Sequence, residues 1–334
     1  MNITTLGIDL AKNIFQITGM NKYGKVVLTK RLGREKITAF IAQQPPCLIG
    51  MEACGSSNYW ARQFTRFGHE VRLMSPQYVK PYVKTNKNDF NDSQAICEAV
   101  TRPTMHFVPI KSIEQQDIQS LHRLRSRLVR NRTSITNQIR GLLLEYGVII
   151  PQGIIYVRTR LVTILEDLQN ELTSLMREIL HELYDEFLAI DKSIRSFDDR
   201  IKCLCSESEV CRRLIKVPGI GHLTATALVA AVGDAKVFKN GRQMAAWLGI
   251  VPRQSSSGNK KLLLGISKRG DKYLRTLLIH GARAFVTRTK NQTEWLKELI
   301  ERKGKHKSYV AVANKNARIL WALIAKGESY SSVV

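Results

Sequence analysis

The chain has no run of eighteen apolar residues, no charged-then-apolar leader, no C-x-x-C pair and no H-x-x-x-H. The first two absences exclude a membrane span and a secretory signal, and predict a soluble intracellular protein. The other two exclude the usual zinc ligand sets, and leave six cysteines (47, 54, 97, 203, 205 and 211) as reduced thiols. Acid is also scarce. Against 52 Lys+Arg stand 28 Asp+Glu, a net charge of +24 over 334 residues. Residues 236–334 hold 21 Lys+Arg and 5 Asp+Glu, so +16 of that excess lies in the last 99 residues. A surface of this kind fits phosphate-backbone binding through counterion release, with steep salt dependence. No stretch has the strong apolar face that a basic membrane-surface helix needs. The length predicts two or three domains.

In so basic a chain, four acidic residues stand out by their settings. Asp9 ends the apolar run of TTLGIDLAKN, Glu52 ends that of CLIGMEACG, and Asp89 and Asp92 form D-x-x-D in DFND just before a helical stretch. Residues 3–32 read as three strands, the second and third a hairpin turning at Asn21 to Gly24. EKITAFIAQQ then reads as helix, CLIGME as strand, NYWARQFTRFG as helix, HEVRLMS as strand and DSQAICEAVTR as helix. The order βββαβαβα is that of a ribonuclease H-like fold. The i, i+3 spacing sets Asp89 and Asp92 on one helical face. Four carboxylates converging there predict a site for one or two Mg²⁺ ions, with Mn²⁺ as a substitute.

Residues 113–147 and 158–190 are glycine-poor and read as two long helices. The first carries Leu121, Leu124, Leu128, Ile135 and Leu142 in a 3-4 repeat, the second Leu161, Leu165, Leu168, Leu172, Leu175 and Ile179. With Gly147 to Gly153 between them they predict an antiparallel hairpin, a coiled-coil dimer arm or an internal bundle. Arg123, Arg127 and Arg130 share one face of the first helix and Arg125 and Arg132 another; with no acid in that stretch, phosphate contact is expected. VPGIG, between apolar residues and an Ala-rich helix, has the pattern of a helix-hairpin-helix, where Gly219 and Gly221 allow close approach to a phosphate. Further on, a polar Ser/Gly/Asn/Lys stretch including Lys260 reads as a loop between two apolar helices, with Lys268, Arg269, Lys272 and Arg275 close behind.

GIDLAKNIFQ, MEACG, KNDFND, VPGIG, AAWLGIVPRQSSSG and ISKRGDKYLR occur in the order seen in DEDD transposases of the insertion-sequence one-ten family. The resemblance covers nearly the whole chain; the opening motif is closest to the eleven-eleven branch, and Piv-type DNA invertases are relatives. It implies a multidomain protein: an α/β ribonuclease H-like (RuvC-like) domain over 1–110, a helical coiled-coil dimerisation region over 111–205, and a mainly α transposase domain with helix-hairpin-helix over 206–334. The family's acidic tetrad maps onto Asp9, Glu52, Asp89 and Asp92. Its nucleophilic serine maps onto Ser257, with Ser255 and Ser256 as neighbouring alternatives. The resemblance further implies a phosphoserine intermediate, double-stranded donor and target DNA as substrates, and a bridge RNA encoded by the element as guide. A homodimer assembling to a synaptic tetramer, and residence on the nucleoid in bacterial cytoplasm, follow from the same likeness. Three other readings of the residues stay open. They are a hydrolytic structure-selective nuclease, a non-catalytic nucleic-acid-binding protein and an actin-like ATPase. For the last, Lys12 stands where a phosphate loop has a small hydroxyl residue.

Overall fold

Alternating and β-branched residues near the amino end form the strands read from the sequence. The computed structural model describes residues 2–84, 88–258, 260–290 and 292–331, and falls into two compact units, Met1–Ser112 and Ile113–Val334.

In the first unit, β1 (Thr5–Leu10), β2 (Ile14–Met20) and β3 (Val26–Gly33) form an antiparallel meander, followed by α1 (Arg34–Ala42), β4 (Leu48–Glu52), α2 (Ser57–Arg66) and β5 (Glu70–Met74). A one-turn α3 (Pro76–Val79), α4 (Asp89–Val100) and a short β6 (Phe107–Val108) complete it. The sheet order is β3-β2-β1-β4-β5-β6, with β4 parallel to both β1 and β5. Leu6, Ile8, Phe15, Ile17, Ile49, Met51, Trp60 and Phe64 are sealed in one core. Each such side chain contributes roughly 1.5–3 kcal/mol of burial. Met74, Val79, Ala95, Ile96 and Val100 form a second cluster around α4.

The second unit is mainly helical. It runs through α5 (Ile113–Leu144), α6 (Ile154–Glu166), α7 (Ser174–Glu207), α8 (Glu209–Leu214), α9 (His222–Val232), α10 (Gly241–Trp247), the hairpin of β7 (Pro252–Ser257) and β8 (Lys260–Ile266), α11 (Lys272–Arg288), α12 (Glu294–Lys303) and α13 (Lys305–Ala325). It holds two apolar clusters. One joins Ile135, Ile139 and Leu143 of α5 to Val157, Leu161 and Leu165 of α6 and Leu180 and Phe187 of α7. The other gathers Leu214, Ile220, Leu228, Leu248, Leu278 and Leu320. Helix α7 passes through Cys205 without a break.

Three expectations are corrected here. Residues 158–190 are not one helix: α6 ends at Glu166 and α7 begins at Ser174, leaving Leu168 84% exposed outside the leucine repeat. Local capping explains the break. Asn170 donates to the Ile164 carbonyl at 2.7 Å, Arg177 donates to the carbonyls of Leu165 at 2.6 Å and Asp167 at 2.9 Å, and the Thr173 hydroxyl accepts from the Met176 amide. The carbonyls at a helix end are thereby satisfied without continuing the helix. The seam of α5 is also rotated: Ile135, Ile139 and Leu143 are buried at i, i+4, i+8, while Leu121, Leu124, Leu128 and Leu142 are half-buried. Finally, the stretch expected as a loop over the serines is the β7–β8 hairpin.

Candidate active site

Register brings the first two carboxylates together. β1 and β4 pair in parallel with Ile8 beside Met51, so the next step sets Asp9 beside Glu52 at the carboxyl ends of two central strands. Side chains alternate along a strand, so Asp9 shares the face of Gly7, and Glu52 that of Gly50. That face is covered by α4. A Cβ on Gly7 would meet the Ser93 carbonyl at 2.3 Å and the Cys97 amide at 2.7 Å, and one on Gly50 would meet Val100 at 2.8 Å. The two glycines therefore let α4 lie directly on the strands. Thr18, opposite Gly7, fixes the helix with a 2.7 Å hydrogen bond to Ser93 and accepts the Cys97 thiol at its carbonyl.

Asp89 and Asp92 lie within the first turn of α4, rather than ahead of it, behind an Asn88 cap whose side chain accepts from the Asn91 amide at 2.8 Å. Asp89 is exposed and Asp92 half-buried. Lys87 of the same motif lies outside the described residues. Asp9 and Glu52 thus lie on the face of the sheet that α4 covers, and Asp89 and Asp92 in the first turn of α4. Cys54 reports the convergence of two of them: desolvation first, then the charges of Glu52 and Asp9, push its thiol above the ordinary range. Among the described residues, no three of His, Cys, Asp and Glu stand close enough together to hold a metal ion. The donor set itself, oxygen only and without imidazole or thiolate, fits a hard divalent cation.

Ser257 lies at the tip of β7, paired with Lys260 across the hairpin; Ser255 pairs with Leu262. Every residue of β7 is exposed. Ser256 points to the opposite side from its two neighbours and accepts a 2.9 Å bond from Gln254. The hairpin's base is a glycine interlock: a Cβ on Gly249 (φ 72°) would meet the Arg269 carbonyl at 1.9 Å, and one on Gly270 (φ 88°) the Trp247 carbonyl at 1.9 Å. Ser267 and Lys268 amides donate to the Val251 and Gly249 carbonyls, with Lys268 itself at φ 55°. The motifs around the serines thus build a rigid foot for an exposed hairpin.

The basic residues divide by role. Arg123, Arg127 and Arg130 are exposed on α5, and Lys260, Lys268 and Arg269 are exposed around the hairpin. Arg275 is half-buried, and donates to the Leu248 and Arg269 carbonyls at 3.3 Å each. Gly219 (φ 83°) meets the backbone of Gly281 on α11, where a Cβ would come within 2.8 Å of its carbonyl; Gly221 caps α9 and has open space. Arg125 and Arg132, on the other face of α5, turn inward onto Asp198 and Asp191 of α7. Those acids, and the buried His122, escaped the sequence reading because their partners lie far along the chain.

A mixed sheet with carboxylates on its helix-covered face, followed by a mainly helical basic unit, fits a ribonuclease H-like transposase of the DEDD class. The comparisons agree: a DEDD transposase family model matches residues 6–148, and a model described as "Transposase IS116/IS110/IS902 family" matches residues 211–298. The chain is 48% identical over 335 residues to a probable family 20 transposase of Pseudomonas aeruginosa, covering 99% of each chain. It is 47% identical over 333 residues to the transposase for insertion sequence element IS1111A of Coxiella burnetii, covering 98% of this chain and 92% of the relative. A pilin gene-inverting protein of Moraxella bovis is 24% identical over 349 residues, covering 99% and 98%. The chain belongs to the IS116/IS110/IS902 transposase family and is a DNA transposase. Enzymes of the DEDD class use divalent metal ions. Among the described residues, no helix is long and apolar enough to cross a membrane.

Proposed function

We propose that this transposase cleaves and rejoins DNA strands through a phosphoserine at Ser257, guided by a structured RNA encoded by its element. In this reading Asp9, Glu52, Asp89 and Asp92 hold Mg²⁺. The observation that supports it is the register that sets Asp9 beside Glu52 at the ends of adjacent strands, on the face covered by the helix whose first turn carries Asp89 and Asp92. When bound, a divalent cation offsets charge at the scissile phosphate and on the leaving oxygen. Ser257 gives up its hydroxyl proton as Oγ forms a bond to phosphorus, and the bond from phosphorus to one deoxyribose oxygen breaks; that oxygen takes a proton. In the second step a strand hydroxyl attacks the phosphoserine and frees Ser257. One phosphoester replaces another at each step, so rejoining needs no ATP.

Ser257 suits this role because it is exposed at the end of a hairpin whose foot is fixed, and Lys260 opposite it is placed to meet phosphate charge. Arg123, Arg127 and Arg130 on α5, and Lys268 and Arg269 near the hairpin, are exposed and free to meet phosphate charge in this reading. The protein would work as a homodimer that assembles to a synaptic tetramer on the nucleoid.

The deciding experiment denatures the protein after incubation with donor-end DNA and Mg²⁺ and looks for a covalent protein–DNA adduct. Adduct formation that is lost in Ser257→Ala and retained in Ser255→Ala is expected. Strand cleavage that survives in Ser257→Ala without any adduct would instead mark a hydrolytic nuclease. Sequencing the nucleic acid that copurifies tests guidance: one short RNA species from beside the gene is expected, and its absence from an active preparation would refute it.

A further inference from the structure

Between α5, α6 and α7 lies a cleft of about 360 Å³, lined by Arg125, Arg132, Arg158, Arg195, Asp191 and Asp198 among others. Asp191 is 3% exposed and is shared by three guanidinium groups: Arg132 donates to it at 2.6 Å, Arg195 pairs with it at 2.9 Å, and Arg158 donates to its other oxygen. Arg125 holds Asp198 in a two-pronged pair, the second bond at 3.2 Å. Four guanidinium groups thus face two carboxylates. Two positive charges are left over. Three arginines gathered on one buried carboxylate repel one another where water screens poorly. Arg132 and Arg158 each also bury an Nε–H that has no hydrogen-bond partner. Arg195, by contrast, has a side chain 64% exposed at the mouth, where the opening continues past Lys192, Asp199 and Arg200.

We propose that this cleft binds a backbone phosphate of nucleic acid, with Asp191 holding Arg132, Arg158 and Arg195 in a fan that presents their donors to phosphodiester oxygens. Planar guanidinium forks match such oxygens in pairs, and fixing them beforehand lowers the ordering cost of binding. The anion supplies the missing negative charge. The proposal rests on the reading of the chain as a nucleic-acid enzyme and assigns that reading a subsite outside both the carboxylate cluster and the serine hairpin. Duplex DNA and folded RNA present the same group, so the source is separated by experiment.

Fluorescence anisotropy of the full chain with a 30-base-pair duplex DNA and with an RNA stem-loop, each across a salt series, tests the proposal. Arg195→Gln should weaken at least one probe roughly five- to tenfold and flatten its slope of log K against log salt by about 1. Arg195→Glu should weaken the same probe further, and both variants should melt as the wild type does. The probe that responds identifies the source; an equal response of both means that either phosphate fits. Arg160→Gln, on the opposite side of α6 from Arg158, is the control and should leave the slope unchanged. If it costs as much as Arg195→Gln, net charge and not the cleft is responsible, and the proposal falls. Wild type that binds while Arg195→Gln keeps full affinity and slope for both probes refutes the cleft alone. Wild type that binds neither probe refutes the nucleic-acid reading as well.

Discussion

Acid should destabilise the second unit in part through His122. It is 3% exposed and ties three helices: Nε2 lies 3.0 Å from the Thr226 hydroxyl on α9, and Nδ1 lies 3.0 Å from the Tyr273 hydroxyl at the start of α11. Thr226 spends its own proton on the His222 carbonyl at 2.7 Å, so it accepts from His122. The imidazole is then the neutral Nε2–H form, with Nδ1 accepting from Tyr273. A proton on Nδ1 would remove that acceptor. Burial first, then the neighbouring charge of Arg125, pushes the His122 pKa down from 6.5 to about 4. Above pH 6.5 the imidazole is neutral in both folded and unfolded chains, and stability does not depend on it. Between 6.5 and 4 the unfolded chain takes up a proton that the folded chain refuses, so stability falls as pH falls, by about 1.4 kcal/mol per unit. Below 4 the loss levels off at roughly 3 kcal/mol. Urea unfolding from pH 4 to 7.5, followed by tryptophan fluorescence, measures this; Trp247, Trp295 and Trp321, three of the four tryptophans, lie in the same unit. Other groups titrate in the window, so the comparison is with His122→Gln, whose amide can donate to Thr226 and accept from Tyr273 without titrating. The two stability curves should converge toward acid by roughly 3 kcal/mol. Parallel curves would refute the reasoning.

Gly7→Ala should push α4 off β1, because the new methyl overlaps the Ser93 carbonyl; a loss of roughly 1–3 kcal/mol by urea unfolding is expected, with DNA cleavage abolished and DNA binding retained. Gly249→Ala combines a positive φ with overlap on the Arg269 carbonyl, and should cost roughly 2 kcal/mol or more while removing the Ser257-dependent adduct. Asp191→Asn leaves three guanidinium groups without their shared charge and should destabilise by about 3 kcal/mol, read from the same urea curves. Desolvation raises and the surrounding arginines more than offset it, so the Asp191 carboxyl stays below its usual range and this contribution should persist through mildly acidic pH, fading only below the ordinary carboxylate range.

The strands and the carboxylates were legible because each is specified locally. Ile8, Ile49 and Met51 lie in apolar runs that end on Asp9 and Glu52, and register alone then brings the two acids together. The β7–β8 hairpin was not legible for the opposite reason. Leu262, Leu263 and Leu264 are 55%, 66% and 41% exposed, so β8 has no buried face and no alternation to betray it. Its strand form follows from the interlock of Gly249 with Arg269 and of Gly270 with Trp247, contacts made across the hairpin's own length. The leucine repeat over 158–190 misled in turn because Asn170, Thr173 and Arg177 satisfy the helix ends locally and override the period.

The arginines of α5 show where counting charge along a chain fails and why the cleft matters. No acid lies among Arg123, Arg125, Arg127, Arg130 and Arg132, which favours phosphate for all five. The fold instead returns Asp191 and Asp198 from α7, 59 residues after Arg132 and 73 after Arg125, and takes those two arginines inward. It also brings Arg158 and Arg195 to the same carboxylate, so the acids that neutralise the sequence pattern are outnumbered where they arrive. Electrostatic partners are set by which helices pack, not by spacing. The positive charge that composition predicts for a surface is therefore partly gathered in a cleft, where four guanidinium groups share two carboxylates.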